Sequence, residues 1–232
     1  MEHIGDWHAA AASTLDWWRE AGVDVLVEDA PRDWLARAAP VSAPVPEAPV
    51  AATLPATLAE FLAWRIGVTA PEAAWRGASI AASGPLDAKL MVLVDCPDRE
   101  DRDCLLGGGA GKLFDRMLAA IGMTRAEIHL AAVCAKRPVA GRMPAEVQAE
   151  LHRLALHHVG LLAPERLLVM GDAASRAVAG TEVLRARGIL RPLNHNGGET
   201  RTVATFHPRL LLERPAQKAD AWKDLQLLMG TR

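Results

Sequence analysis

The sequence predicts an α/β fold in which helices cover both faces of a parallel sheet. Two observations carry this. From Leu54 onward, short apolar runs of strand length alternate with longer segments of helical periodicity, the pattern of successive β–α–β crossovers. Half of the 232 residues are hydrophobic, enough for a sizeable core in one large domain, or a domain plus an appendage.

Strands are expected at residues 90–94, 128–133, 167–170 and 202–206, each a short apolar or β-branched run. Helices are expected at 57–66, 110–121, 144–161, 173–179 and 216–228. Ahead of these, residues 7–37 read as a small helical unit. Leu15, Trp18 and Ala21 share one helical face, Gly22 ends that stretch, and a second short helix follows Pro31 at 32–38. Residues 39–54 hold Pro40, Pro44, Pro46 and Pro49 among Ala and Val; such a stretch cannot sustain a helix and reads as an extended linker. The expected division is a helical N-terminal segment at 1–38, a linker at 39–54 and the α/β domain at 55–232. The first segment is either a docking helix for the chain's own core or a tether for a partner protein. No internal repeat is visible.

Composition narrows the function classes. No apolar run reaches the roughly 18–20 residues that span a bilayer, and the acidic start, Met1 to Asp6, is no signal peptide. Cys96, Cys104 and Cys134 are odd in number and lack CxxC spacing, so neither a disulfide framework nor a zinc site is expected, and a reducing cytoplasm is the simplest location. Residues 1–84 carry 5 Lys/Arg against 11 Asp/Glu, and residues 85–232 carry 21 against 17. A mildly basic C-terminal part can face a polyanion locally, without the strongly basic signature of a constitutive DNA-binding domain.

In parallel α/β sheets, ligands bind beyond the C-terminal ends of the strands. Those ends carry Asp95, the Ala135-Lys-Arg-Pro138 loop, Gly171-Asp172 and His207-Pro208. After the first strand comes Gly107-Gly-Gly-Ala-Gly111. It is not a phosphate-binding P-loop, because Leu113 stands where Ser or Thr should follow Lys112 and Leu106 where the first Gly belongs. Nor is it a dinucleotide fingerprint, since twelve residues separate it from the strand. Two readings remain: a nest of backbone amides at a helix start, suited to a phosphodiester oxygen, or a flexible loop. His207 is either structural or, with Asp95 on the same rim, half of a base-and-electrophile pair. His157 and His158 are adjacent on a helix and face different directions, so neither is a metal ligand.

Three segments together resemble the family-4 type of the uracil-DNA glycosylase superfamily in its alphaproteobacterial form. The first is Met91–Met117, with Pro97, Glu100-Asp101-Arg102 and Ala110-Gly111-Lys-Leu-Phe-Asp-Arg-Met-Leu118. The second holds Arg137-Pro138, Gly141-Arg142, Pro144 and Leu167-Leu-Val-Met-Gly171. The third, the most specific, runs from Ala204-Thr-Phe-His-Pro208 through Leu210-Leu-Leu212 to Ala221-Trp-Lys-Asp-Leu-Gln226. The resemblance implies a three-layer αβα fold around a four-stranded parallel sheet, and a pocket that takes one base flipped out of DNA.

The departures from that family fall in the pocket. Its Gly-Glu-Ala-Pro-Gly motif reads Val94-Asp-Cys-Pro-Asp98 here, so the water-positioning acid becomes Asp95, one methylene shorter. The aromatic that stacks on uracil aligns with Leu106, and the asparagine that reads the uracil edge aligns with Ala132. Only His207, which the resemblance makes the stabiliser of the departing base anion, is intact. The family's iron–sulfur ligands align near residues 57–66, Lys136 and Leu151, where no cysteine stands. The resemblance thus gives Asp95 and His207 as catalytic candidates, and Cys96, Pro97, Leu106 and Ala132 as pocket residues. Gly108, Gly109, Gly111, Arg137, Arg142 and Arg209 are DNA-contact candidates. No metal or cofactor is expected. The expected function is a monomeric glycosylase-like DNA-binding protein with weak or absent uracil excision, alternatively a catalytically inactive binding module or a protein-interaction module.

Overall fold

A computed structural model describes residues 7–22, 54–139, 141 and 143–230. The chain divides into two units, Met1–Ala52 and Thr53–Arg232. In the first, helix α1 (Trp7–Glu20) exposes its whole length, Trp7, Trp17 and Trp18 included. The short helix expected at 32–38 and, but for Leu54, the linker expected at 39–54 lie outside the described residues.

In the second unit the elements run α2 (Leu58–Arg65), β1 (Leu90–Val94), α3 (Gly109–Ala120), β2 (Ile128–Ala132), α4 (Ala145–Leu162), β3 (Arg166–Met170), α5 (Asp172–Ala179), α6 (Val183–Ala186), β4 (Arg191–His195), β5 (Gly198–Thr205), α7 (Pro208–Glu213) and α8 (Lys218–Met229). The sheet order is β2-β1-β3-β5-β4. The first four are parallel, with Val94 opposite Ala132 and Met170, and Met170 opposite Thr205. Their C-terminal ends therefore form one level rim.

Burial on both faces explains why β1 reads as an unbroken apolar run. Met91 and Leu93 join the core packed by Phe61 of α2, Leu151 and Leu154 of α4, and Ala174 of α5. Leu90, Val92 and Val94 face the other core, built with Phe114 and Leu118 of α3 and Leu225 and Leu228 of α8. The result is three layers, αβα.

The sheet has five strands rather than the four expected. The addition, β4, pairs antiparallel with β5, His195 opposite Gly198. Pro192 and Asn194 give it poor strand propensity, and Pro is tolerated because β4 is an edge strand. Its marker was Asn196-Gly197, the two-residue connection of a hairpin.

One buried ion pair fixes the rim beside β2. Arg65, at the end of α2, bonds Glu72 and donates from Nη2 to the Val133 carbonyl at 2.7 Å. Glu72 Oε1 also accepts from the Ala135 amide at 2.7 Å. The loop leaving β2 is thereby tied to α2 before it reaches Arg137.

Candidate active site at the strand-end rim

Hydrogen bonds continue past the strands and set the rim. Val133 N–H donates to Val94 O at 2.9 Å, Cys134 N–H to Asp95 O at 3.1 Å and Gly171 N–H to Thr205 O at 3.2 Å. Asp95, the first residue after β1, lies against the start of α5. Gly171, the residue before that helix, has no side chain with which to cap it. Asp95 supplies the cap from a neighbouring strand, its Oδ1 accepting from Ala174 N–H at 2.8 Å. The approach is so close that a Cβ on Gly171 would sit 2.4 Å from Asp95 Oδ2, and Gly171 has φ +109°. Burial raises the Asp95 carboxyl to about 6, with Asp172 adding to the rise and the Ala174 amide and Arg209 opposing it. Asp95 is therefore mostly ionised at neutral pH and sits within the range useful to a general base.

His207 opens α7 as its N-cap, ahead of Pro208. Its Nδ1 accepts from Arg209 N–H at 3.2 Å, which places the ring proton on Nε2. The residue is 4% exposed. Burial pushes its pKa down to about 3, helped by Arg209 and Arg137 and opposed by Asp101. His207 is thus a neutral imidazole with one N–H to donate.

The loop between β1 and α3 narrows one expectation. Two of the amides offered for a phosphate, those of Gly107 and Gly109, are occupied by the chain's own acids. Glu100 Oε2 accepts from Gly109 N–H at 2.9 Å, and a Cβ on Gly108 would sit 2.0 Å from that oxygen. Asp101 accepts from Gly107 N–H at 2.7 Å and from the Leu106 and Asp98 amides at 3.0 and 2.8 Å. Gly111 has another purpose: its Cα packs on the Leu106 carbonyl, where a Cβ would stand 1.7 Å away.

Leu106 is buried in the α3–α8 core at φ 54°, its carbonyl accepting from Arg125 Nη2 at 2.7 Å. It lines neither of the two main cavities, which corrects its placement as a pocket wall. Ala132 ends β2 on a separate cavity of about 20 Å³, beside Arg65 and His158. Pro97 is buried, and its carbonyl accepts from Arg137 Nη1 at 2.8 Å. Arg142 lies outside the described residues.

Two cavities of about 450 Å³ each open on the rim. Asp98, Glu100, Gly108, Gly109, Arg137 and Arg209 are among the walls of one. Asp95, Cys96, Cys134, Asp172, Arg176 and Arg209 are among those of the other. Arg209 belongs to both, and His207 to neither. Asp98, which sequence reasoning did not single out, joins the two arginines: it bonds Arg209 and lies 3.9 Å from Arg137 Nη1. Its only sequence signal is that it replaces the last glycine of the motif beginning at Val94. Asp172 was marked by its place at the end of β3, whereas Arg176 was missed; nothing but its place on α5 marks it.

The two rim cysteines are buried, and burial raises both thiols, Cys96 to about 11. Neither is a thiolate at neutral pH, so neither serves as a nucleophile. An iron–sulfur cluster does not fit the residues present. Lys136 spends its ammonium on the Ala73 and Trp75 carbonyls at 2.6 and 3.2 Å, Leu151 is fully buried in the core, and α2 carries no sulfur. Among the described residues no three His, Cys, Asp or Glu side chains gather as a metal site, and no helix is long and apolar enough to cross a membrane.

Comparison with known proteins gives consistent matches. A family model described as the uracil DNA glycosylase superfamily matches residues 81–226. A type-4 uracil-DNA glycosylase of Pyrobaculum aerophilum is 25% identical over 166 residues, 67% of this chain and 84% of that protein. Type-4 uracil-DNA glycosylases of Archaeoglobus fulgidus (25% identical, 60% of this chain, 74% of that protein) and Thermotoga maritima (27%, 57% and 71%) are also similar.

Proposed function

This chain belongs to the uracil DNA glycosylase superfamily, and from that premise we propose that it binds DNA in base-excision repair through a site that has lost most uracil-specific contacts. The observation that carries this reading is the pair on the rim: a neutral His207 with its proton on Nε2, and an Asp95 raised to about 6. Asp95 orients a water for attack at the sugar carbon. His207 donates its Nε2–H to the oxygen of the departing base, whose negative charge it stabilises. The base leaves as an anion, and the water proton goes to Asp95. This excision is weak or absent. A shortened acid misplaces the water by roughly 1 Å, a displacement that costs about 10²-fold. Ala132 has no amide with which to read a base edge, and a polar reader is worth about 10⁴-fold in discrimination.

A second reading, a catalytically silent binding module, is favoured by one specific observation. Asp95 faces a cavity that His207 does not line, and Asp95 is committed to capping α5. A third, a protein-interaction module, rests on the exposed Trp7, Trp17 and Trp18 of α1. DNA binding separates the first two readings from the third. The expected result is salt-dependent binding of single-stranded and mismatched DNA, weakened when Arg137, Arg142 and Arg209 are changed together to Ala. Unchanged affinity and salt slope in that variant would refute the contact assignment. Loss of the cluster is part of the same proposal: the protein works without iron.

A further inference from the structure

The rim holds two arginines and a carboxylate in an arrangement that an ordinary structural ion pair does not explain. Asp98 turns one oxygen toward both arginines but bonds only one of them. Oδ1 bonds Arg209 Nη1 and lies 3.9 Å from Arg137 Nη1, too far for a hydrogen bond. Oδ2 is buried with no hydrogen-bond partner among the described residues, although the Asp98 side chain is only 10% exposed. Arginine–carboxylate pairs frequently engage both oxygens. Here the acid stands in its place half-satisfied, and burial pushes its carboxyl up toward the uncharged form.

The arginines, by contrast, keep donors in reserve. Arg137 gives Nη1 to the Pro97 carbonyl. Arg209 leaves 42% of its side chain exposed and forms part of both cavities. Each guanidinium has five N–H groups. Against one carboxylate the two guanidiniums leave +1 at the seat itself, on the wall of a cavity of about 450 Å³ whose other charged walls, Arg99, Glu100 and Glu213, bring the lining as a whole to zero. Glu100 lines the same cavity but is already held by the Gly109 amide.

We propose that Asp98 is a resident counter-ion closing a phosphate seat made by Arg137 and Arg209, and that a nucleic-acid phosphate binds there by displacing it. The shape of the seat supports this. Two guanidiniums converge from different elements, the loop after β2 and the start of α7, on one oxygen, Asp98 Oδ1. A phosphate brings two or more acceptor oxygens to the same place and uses donors that Asp98 leaves idle. The carboxylate then competes with the ligand, so DNA is held weakly until the loop 98–101 moves its acid aside. That the occupant is DNA rests on the functional reading above; that the seat takes a phosphate does not.

The test compares the wild type with Asp98→Asn, which keeps the size and removes the charge, and with Asp98→Asn combined with Arg209→Gln. Glu165→Gln, an exposed acid at the opposite end of β3, controls for net charge. Binding of a short single-stranded oligonucleotide and of inorganic pyrophosphate is titrated across salt concentrations. The Asp98→Asn variant is expected to bind the oligonucleotide about tenfold more tightly at low salt, with a steeper salt dependence worth about one phosphate contact. Adding Arg209→Gln abolishes the gain, and Glu165→Gln does not reproduce it. A gain toward pyrophosphate with no binding of DNA by any variant would sustain the seat and sink the DNA reading. No gain toward either probe in a variant that melts like the wild type overturns the proposal, and so does a gain that survives Arg209→Gln.

Discussion

Replacing His207 with Asn removes an imidazole but leaves a side-chain oxygen that can take the Arg209 amide, so the start of α7 stays capped. The substitution should then show itself in how stability depends on pH. His207 has a folded pKa of about 3 against an ordinary 6.5. Below 6.5 the unfolded chain takes up a proton that the folded chain refuses. The stability linked to this neutral ring is whole above 6.5 and drains away as pH falls toward 3. Between pH 8 and pH 5 the loss is about 2 kcal/mol. Asp95 acts in the opposite sense: raised from 3.8 to about 6, it contributes stability at low pH that disappears as pH rises through 6, so it offsets about 1 kcal/mol over that interval. His129 and His158, both lowered by burial, add to the acid loss. All three are shared by the two proteins and cancel in the comparison. Urea unfolding at pH 8 and pH 5 is expected to show the wild type losing about 2 kcal/mol more than His207→Asn. Equal losses, or an imidazole resonance of His207 titrating near 6.5, would refute the burial argument and the neutral electrophile with it.

Other outcomes follow from named contacts. Gly171→Ala puts a Cβ 2.4 Å from Asp95 Oδ2 at φ +109°; it should lower stability by at least about 2 kcal/mol and release Asp95 from α5, read by denaturant unfolding. Glu72→Ala leaves the buried Arg65 unpaired and should cost about 3–5 kcal/mol, whereas the exposed Lys89–Glu165 pair can be removed for less than about 1 kcal/mol. Protein purified without oxygen should carry no stoichiometric iron and no sulfur-to-iron charge-transfer absorbance; both together would show ligands that residues 57–66, Lys136 and Leu151 do not offer.

The parallel strands were legible because each is buried on both faces and so is written in apolar residues, as in Leu90-Met-Val-Leu-Val94. The edge strand β4 was not, since an edge admits Pro192 and Asn194 and its identity comes from pairing with β5. Helix α7 is six residues long, too short for a periodic signal. The rim positions of Asp95 and His207 followed from the strand ends alone. What those residues touch did not, because each contact spans distance in the chain: Asp95 meets an amide 79 residues on, and Asp98 an arginine 111 residues on. The glycines before α3 allowed a phosphate nest or a flexible loop, and only the fold shows Glu100 and Asp101 turned back onto the Gly109 and Gly107 amides. Leu106, an apolar residue in a polar loop, was assigned by its alignment to the pocket, while its side chain serves the core beneath α3.

The function proposed for this chain is a glycosylase frame that survives while its reading of uracil does not. A single-turnover time course on uracil-containing single-stranded DNA tests this most directly, run beside an intact type-4 enzyme and repeated with His207→Asn. Excision is expected to be undetectable, or several orders of magnitude slower than by the intact enzyme, as the separate factors of about 10² for a misplaced water and about 10⁴ for a missing edge reader require. Any residual activity should be unselective between uracil, thymine and cytosine. Robust, uracil-selective turnover that vanishes with His207→Asn would contradict it, because residues other than Ala132 and Leu106 would then be recognising the base.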